Sequence, residues 1–346
     1  MKSLALLLSI SALVFGLVGC TGGGGSGGSA ADFAVSTTAA DFGVVGNAYT
    51  ATLVVTGGSA PFTWTLFGGT LPTGLSLDGA TGVVSGTPVA PAGNFTATFI
   101  VTDSTGKTAT GSVLFAIHTR TDRVSVNGSG TAGSGASSTP SMNSDGSLVA
   151  FVSQSINFVT GVSGSQIYLH NRQTNQIEVV SRDSNSSVIN AGVGASSDPA
   201  ISADGRFVAF VSTATNLVTG VSGQQIYLRD RTSSTTTLMS QNDLGTPASA
   251  GSSTSPSISA DGRYVAFVST ATNLVTGVSG QQIYLRDRIG STTSLVSRDN
   301  TGSLVEGDGL SDSPAINGNG GFVAFFSQAT NLVSGSGSHI YVRALP

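Results

Sequence analysis

The chain has 346 residues, carries a formal net charge of −4 and is only 9% charged, with no basic run to give a nucleic acid an electrostatic footprint. Its single cysteine excludes disulfide stapling and metal sites built on several thiolates. Gly, Ser and Thr stand where charged residues usually do, and no stretch sustains a helical period, so the fold class is read as all-β.

The first element is residues 1–19. One charge, Lys2, precedes an apolar run from Leu4 to Val18 that is short for a bilayer span and ends in small residues, the pattern of a secretory signal. Leu17-Val18-Gly19-Cys20 resembles the bacterial lipobox. That resemblance implies cleavage before Cys20 and acylation of its sulfur and its new amino group. Several acyl chains hold a protein stably at a membrane, so a lipid anchor is the expected membrane partner. Thr21 in place of an acidic residue resembles the sorting pattern for an outer membrane, and the expected location is the cell envelope, lipid-anchored, at the outer membrane or cell surface. Residues 20–31, Cys20 followed by a Gly/Ser run, then form a flexible tether. Gly24-Gly25-Ser26-Gly27-Gly28 fits the nucleophile-elbow pattern by letters, but neither the strand nor the helix that the elbow requires flanks it.

Residues 32–119 read as an immunoglobulin-like β-sandwich. Short alternating runs are broken by Gly and Pro roughly every ten residues. The expected strands are Tyr49 to Val55, Phe62 to Phe67, Leu75 to Leu77, Val83 to Ser85, Phe95 to Val101 and Ala109 to Ile117. Trp64, the only tryptophan, shares a face with Phe62 and Leu66 and is read as a core residue. The Leu-Pro-Thr-Gly-Leu and Ser-Gly-Thr-Pro segments at 71–75 and 85–88 resemble the immunoglobulin-like, cadherin-related modules of bacterial surface proteins. Such modules serve as stalks or adhesive spacers. Calcium is the one cation the resemblance implies, with Asp78 and Asp103 as its candidates; the residues by themselves call for no cofactor.

Residues 120–346 contain four copies of one unit. Residues 201–231 recur at 258–288 with only Phe207 changed, to Tyr264, and Asp145, Asp204, Asp261 and Asn319 mark one position at intervals of 59, 57 and 58 residues. Each unit contains four strand-like runs, the arrangement of a β-propeller blade, and blades must stack to bury their apolar faces. Asp-Gly at 145–146, 204–205 and 261–262 predicts tight turns between the first two strands. The fourth unit stops after Ile340-Tyr341-Val342, whereas Arg123-Val124-Ser125-Val126 looks like a fourth strand ahead of the first unit. The expectation is a closed four-bladed ring in which that early strand completes the last blade, with rings shared between chains as the alternative. The Ser-x-Asp-Gly-Arg-x-Val-Ala-Phe segments at 202–210 and 259–267 resemble the blades of TolB-like periplasmic proteins and related surface proteins, although the acidic loop common in those surface relatives reads Thr-Gly-Val-Ser-Gly-Gln-Gln here.

In an antiparallel blade the loop after the second strand emerges beside the loop that joins consecutive blades. That face carries 153–164, 212–223, 269–280 and 326–337 together with 127–138, 183–198, 241–254 and 298–313. Long loops on a rigid scaffold are where binding concentrates, and Asn157, Asn216, Asn273, Asn331, Gln224 and Gln281 are the candidate ligand contacts. Catalytic constellations are not evident. The three histidines, His118, His170 and His339, lack metal-ligand spacing and read as surface or interface residues, while Glu178 and Glu306 fall in different units. The function read from these features is a non-enzymatic, lipid-anchored envelope scaffold, a stalk plus a propeller that binds a protein, peptide or glycan through its long-loop face. The alternatives are a TolB-like component of a periplasmic envelope complex and a propeller that accompanies a hydrolase.

Overall fold

A computed structural model describes residues 32–119, 121–184, 192–300, 305–333 and 337–345. The expected signal, Cys20 and the expected tether, residues 1–31, lie outside the described residues. Those residues form an all-β chain of two regions, and no helix among them is long and apolar enough to cross a membrane.

The N-terminal region is a sandwich. The strands are β1 (Ala34–Val35), β2 (Gly43–Val44), β3 (Tyr49–Thr52), β4 (Val55–Thr56), β5 (Thr63–Gly69), β6 (Leu75–Asp78), β7 (Val83–Gly86), β8 (Gly93–Thr102) and β9 (Thr108–His118); β1 and β2 are additional, and the expected strand Tyr49 to Val55 breaks into β3 and β4 in different sheets. One sheet runs β2-β9-β8-β5, facing a second of order β3-β7-β6, with β1-β4 as a short ribbon. Ala97, Phe99 and Val101 alternate inward along β8 and meet Trp64, Val84, Val113 and Phe115 in one core. Leu66 departs from the expected face and is exposed, at the point where β5 shifts register against β8.

The C-terminal region contains four sheets, each one repeat. Blade 1 is β10 (Ser137–Met142), β11 (Leu148–Ser153), β12 (Gln166–Asn171) and β13 (Gln176–Val179), and blade 2 is β14 (Ser196–Ile201), β15 (Phe207–Ser212), β16 (Gln225–Asp230) and β17 (Thr235–Leu238). Blade 3 is β18 (Ser253–Ile258), β19 (Tyr264–Ser269), β20 (Gln282–Asp287) and β21 (Thr292–Leu295). Blade 4 has three strands, β22 (Ser311–Ile316), β23 (Phe322–Ser327) and β24 (His339–Ala344). The expected turns form: Gly146, Gly205, Gly262 and Gly320 adopt φ of +72°, +72°, +68° and +74° between the first two strands.

Side-chain alternation explains the stacking. In blade 1, Ile167 and Leu169 point toward blade 2, where they meet Val208, Phe210 and Tyr227; Ile226 and Leu228 repeat this against Val265, Phe267 and Tyr284, and Ile283 and Leu285 against Val323 and Phe325. Each such side chain, once fully buried, contributes on the order of 1.5–3 kcal/mol. The turns form a second, polar seam. Ser144 N–H donates to Ala203 C=O (3.1 Å), Ala203 N–H to Ala260 C=O (3.0 Å), and Ala260 N–H to Gly318 C=O (2.9 Å).

Among the described residues the expected ring closure is not seen: strand contacts run from blade 1 to 2, 2 to 3 and 3 to 4, an open arc. Among the described residues β24 pairs only with β23, and Val126 makes an isolated bridge to Ala132 instead of joining blade 4. Val124 packs beside blade 1, with Phe151 and Tyr168. The physical reason is that closure depends on the angle between stacked blades, which packing sets and which is invisible in strand-level patterns.

Candidate functional site

Parts of the expected loop face, at 185–191, 301–304 and 334–336, lie outside the described residues; its loops after the second strand are described in blades 2 and 3. In the loop after β15, Ala214, Leu217 and Val221 are buried against neighbouring blades, while Thr213, Thr215, Thr219 and Ser222 between them are exposed. Blade 3 repeats the pattern with Ala271, Leu274 and Val278 inward and Thr272, Thr276 and Ser279 outward. Buried anchors between exposed hydroxyls make this a fixed display.

Hydrogen bonds tie each of these loops to the inter-blade connection beside it. Asn157 accepts from Ser134 N–H (2.9 Å) and donates to Ala132 C=O (2.9 Å). Asn273 accepts from Ser249 N–H (2.8 Å) and donates to Pro247 C=O (2.8 Å), Asn331 accepts from Asp308 N–H (3.0 Å) and donates to Glu306 C=O (2.7 Å), and Asn216 accepts from Val193 N–H (2.7 Å). The amides of the four asparagines thus hold the loops to the adjoining connections. Gln281 is likewise engaged, its side chain donating to Ser311 C=O (3.1 Å), and Gln224 sits half-buried with its backbone carbonyl accepting from Ser253 N–H (2.9 Å). Thr213 and Thr270 bond to the Ala195 and Ser252 backbone and Ser279 to Glu306, so the exposed Thr215, Thr219, Thr272 and Thr276 are what this face offers.

A groove of about 600 Å³ opens beside the blade 2 loop. Thr219, Gly220 and Val221 form one wall, Thr235–Met239 and Gln241 another, and Arg286 and Arg288 of blade 3 the third. Arg286 donates to Asn242 C=O (3.2 Å) and Thr293 Oγ1 (3.0 Å), and burial holds its pKa below the usual guanidinium value. Arg288 lies over the Phe207 ring at 4.4 Å from the centroid.

Two features escaped the sequence reading. Thr139, Asp198, Ser255 and Ser313, each directly before a proline, hold φ between +46° and +54° on the first strand of each blade, at the register shift. These strands neighbour one another along the arc, so a row of polar residues lines its inner side. The available signal was Ser-x-x-Pro, repeated four times at 137–140, 196–199, 253–256 and 311–314.

The second is a cavity of about 500 Å³ where the sandwich meets blade 1. Asp122 Oδ2 there contacts His118 Nδ1 (3.0 Å) and Arg172 (2.9 Å), and His170 Nε2 contacts Asn175 Oδ1 (3.0 Å). Burial pushes both imidazoles below their ordinary pKa, and His118 Nε2 and His170 Nδ1 have no hydrogen-bond partner. His118 and His170, 52 residues apart, could not have been joined by spacing. The candidates for calcium sit in separate turns: Asp78 caps the β6–β7 turn, accepting from Ala80 N–H (2.9 Å), and Asp103 caps the β8–β9 turn, accepting from Thr105 N–H (2.9 Å) and Lys107 N–H (3.0 Å). No group of three or more His, Cys, Asp or Glu side chains that could hold a metal gathers among the described residues.

A family profile described as "Putative Ig domain" matches residues 31–118, the sandwich region. No curated protein matches the chain. Among solved structures the chain is similar to one from a structural and mechanistic study of two prolyl endopeptidases, at 15% identity and a TM-score of 0.37, covering 61% of this chain and 28% of that one. It is also similar to the β-propeller domain of the Trilobed protease from Pyrococcus furiosus, which has an open velcro topology, at 9% identity and a TM-score of 0.30 over 81% of each chain. The chain is similar as well to mouse cadherin-23 EC22-24, at 20% identity and a TM-score of 0.20, covering 26% of this chain and 31% of that one. The blade assignment rests on the strand pairing above, not on these likenesses.

Proposed function

We propose that the chain is a non-catalytic, lipid-anchored envelope scaffold whose propeller face holds a repetitive polar chain, a glycan or an extended peptide. The observation that carries this reading is the duplication of the display: the exposed Thr215 and Thr219 of blade 2 recur as Thr272 and Thr276 of blade 3 on the same framework of buried anchors. A ligand with one distinctive end needs different groups from each blade. A ligand that repeats is served by the same groups presented twice, and two weak contacts on one rigid frame combine through effective concentration.

Cys20 is the expected attachment point, residues 22–29 the spacer, and the sandwich the stalk that lifts the face away from the lipid. The groove lined by Arg286 and Arg288 adjoins the display and suits a carboxylate or another acidic group carried on the chain.

The test is binding to an array of bacterial polysaccharides and extended peptides, comparing the wild-type protein with Thr219→Trp, Thr276→Trp and the double variant. Both substitutions are at exposed positions. Each single variant is expected to weaken a polymeric ligand by several-fold and the double by much more. Retained binding in the double variant, or equal loss for monomeric and polymeric forms, overturns the reading.

A further inference from the structure

We propose that the exposed side of blade 4 docks a second copy of this chain, which supplies its Asp122–Asn127 segment as a strand alongside β24, itself paired only with β23 among the described residues. The template is inside the chain. Ile167, Ile226 and Ile283 are fully buried where each blade meets the next, and Leu169, Leu228 and Leu285 are at most 5% exposed. Their blade 4 counterparts, Ile340 and Val342, are 72% and 67% exposed. Phe322, the counterpart of Phe207 at 3%, is 49% exposed. Blade 4 therefore presents, uncovered, the surface that three other blades bury.

The other half of the contact is at the opposite end of the arc. In blades 1 to 3 the chain leaving the fourth strand bonds back to the third: Val180, Met239 and Val296 N–H groups donate to Ile167, Ile226 and Ile283 carbonyls, each at 2.8 Å. Val124 is the repeat equivalent of those three residues, and its surroundings are theirs. Gly133 N–H donates to Ser125 C=O (2.9 Å), as Gly192 does to Ser181 (2.9 Å), Ala248 to Ser240 (2.8 Å) and Gly307 to Ser297 (2.9 Å). The Val126–Ala132 bridge repeats Gln241–Pro247 and Arg298–Glu306. Asp122 pairs with Arg172 of blade 1 as Glu178 pairs with Arg231 of blade 2. The segment is thus seated as the last strand of a blade whose other three strands are not beside it, while at the far end β22, β23 and β24 form a three-stranded sheet among the described residues.

Donor and acceptor ends on one chain make a head-to-tail contact between copies. Docking aligns Ile340 C=O with the partner's Val124 N–H and extends the turn seam from Gly318 to the partner's Ser144. Val149, Phe151 and Tyr168 on the receiving side of blade 1 are already buried, so docking carries the cost of uncovering them and is weaker than the three interfaces within the chain.

The register of Leu169 against Glu178 places Val342 opposite Asp122 of the partner. In the full chain carrying Cys20→Ser, Asp122→Cys and Val342→Cys are introduced singly, and the two proteins are mixed and oxidised. A mixed disulfide dimer on a non-reducing gel is expected. A Val342→Cys homodimer in place of the mixed species overturns the proposal, as does a double variant that cross-links only within one chain. Because Asp122→Cys removes an ion pair, sedimentation of the wild type is the second measurement. Its sedimentation coefficient should rise with concentration, and Val342→Asp, at an exposed position, should weaken association roughly tenfold or more without lowering Tm. A wild-type coefficient independent of concentration, together with no cross-link, overturns it as well.

Discussion

Asp122 and Arg172, fifty residues apart in sequence, stand 2.9 Å from each other and repeat one blade earlier the pairing of Glu178 with Arg231. The two pairs differ in exposure: the Asp122 and Arg172 side chains are 21% and 16% exposed, whereas Glu178 is 48% exposed. Water screens the second pair far more. A double-mutant cycle with Asp122→Asn and Arg172→Gln, followed by thermal unfolding, should give a coupling of about 1–2 kcal/mol. The same cycle on Glu178 and Arg231 should give under ~1 kcal/mol. Equal couplings would show that the early segment is not held as the structure describes.

The turn glycines separate backbone cost from packing cost. A Cβ at Gly262 would lie 2.2 Å from Phe207 Cδ2 of the preceding blade, whereas at Gly146 the nearest atom is Met142 Sδ at 3.4 Å. Both glycines have positive φ. Gly146→Ala should therefore cost only the conformational penalty, about 1–2 kcal/mol. Gly262→Ala should cost a further 1–3 kcal/mol, roughly the penalty of overpacking, read as a larger drop in denaturation midpoint.

Legibility followed the range of the interaction. Strand alternation around Phe99 and the Asp-Gly turns are decided within a few residues, and both were readable. The kinship of Val124 with Val180 was also readable, because it is a matter of repeat position. Which blade would receive Val124 was not, since that depends on the angle summed over four stacked sheets. The asparagines show the same limit: Asn273 is a polar loop residue by sequence, but its partners, Ser249 and Pro247, are 24 and 26 residues away. His118 and His170 converge only because the sandwich is placed against blade 1.

Asp287 tests the electrostatics within a blade. Two hydrogen bonds from Arg263, at 3.1 and 2.7 Å, hold its pKa at about 2, below the ordinary 3.8. A depressed carboxylate pKa stabilises the fold above 3.8, and the contribution is lost as pH falls through about 2. Asp287→Asn should therefore lower stability at neutral pH by ~1 kcal/mol, Arg263 being partly exposed and screened. The gap between variant and wild type should narrow across that acid window in urea titrations at stepped pH.

His118 and His170 should make the junction of sandwich and blade 1 sensitive to mild acid. Burial is the first cause of the lowered pKa in both, and the Arg172 charge adds to it. The unfolded chain protonates near the ordinary value of 6.5, while the folded chain resists until lower pH. The unfolded state then binds more protons in that interval, so stability is full above 6.5 and declines as pH falls toward the folded values. Lowering the pH from 7.5 to 5 should reduce Tm, and the loss should be smaller in His170→Gln. A His170→Gln protein with an unchanged pH profile would remove that residue from the effect.

Asn273 decides between a pinned loop and a free one. Its amide makes two bonds to the neighbouring connection, one through each end. Removing both in Asn273→Ala should cost about 1–3 kcal/mol, each net bond contributing roughly 0.5–1.5 kcal/mol. It should also expose residues 241–252 to limited proteolysis. Asn273→Asp keeps the acceptor for Ser249 N–H but turns a carboxylate oxygen toward Pro247 C=O, where the amide had donated. The aspartate variant should consequently be no more stable than the alanine one at neutral pH and should recover partly as the carboxyl protonates below about pH 4. Wild-type stability and protease resistance in Asn273→Ala would show that the amide does not hold the loop.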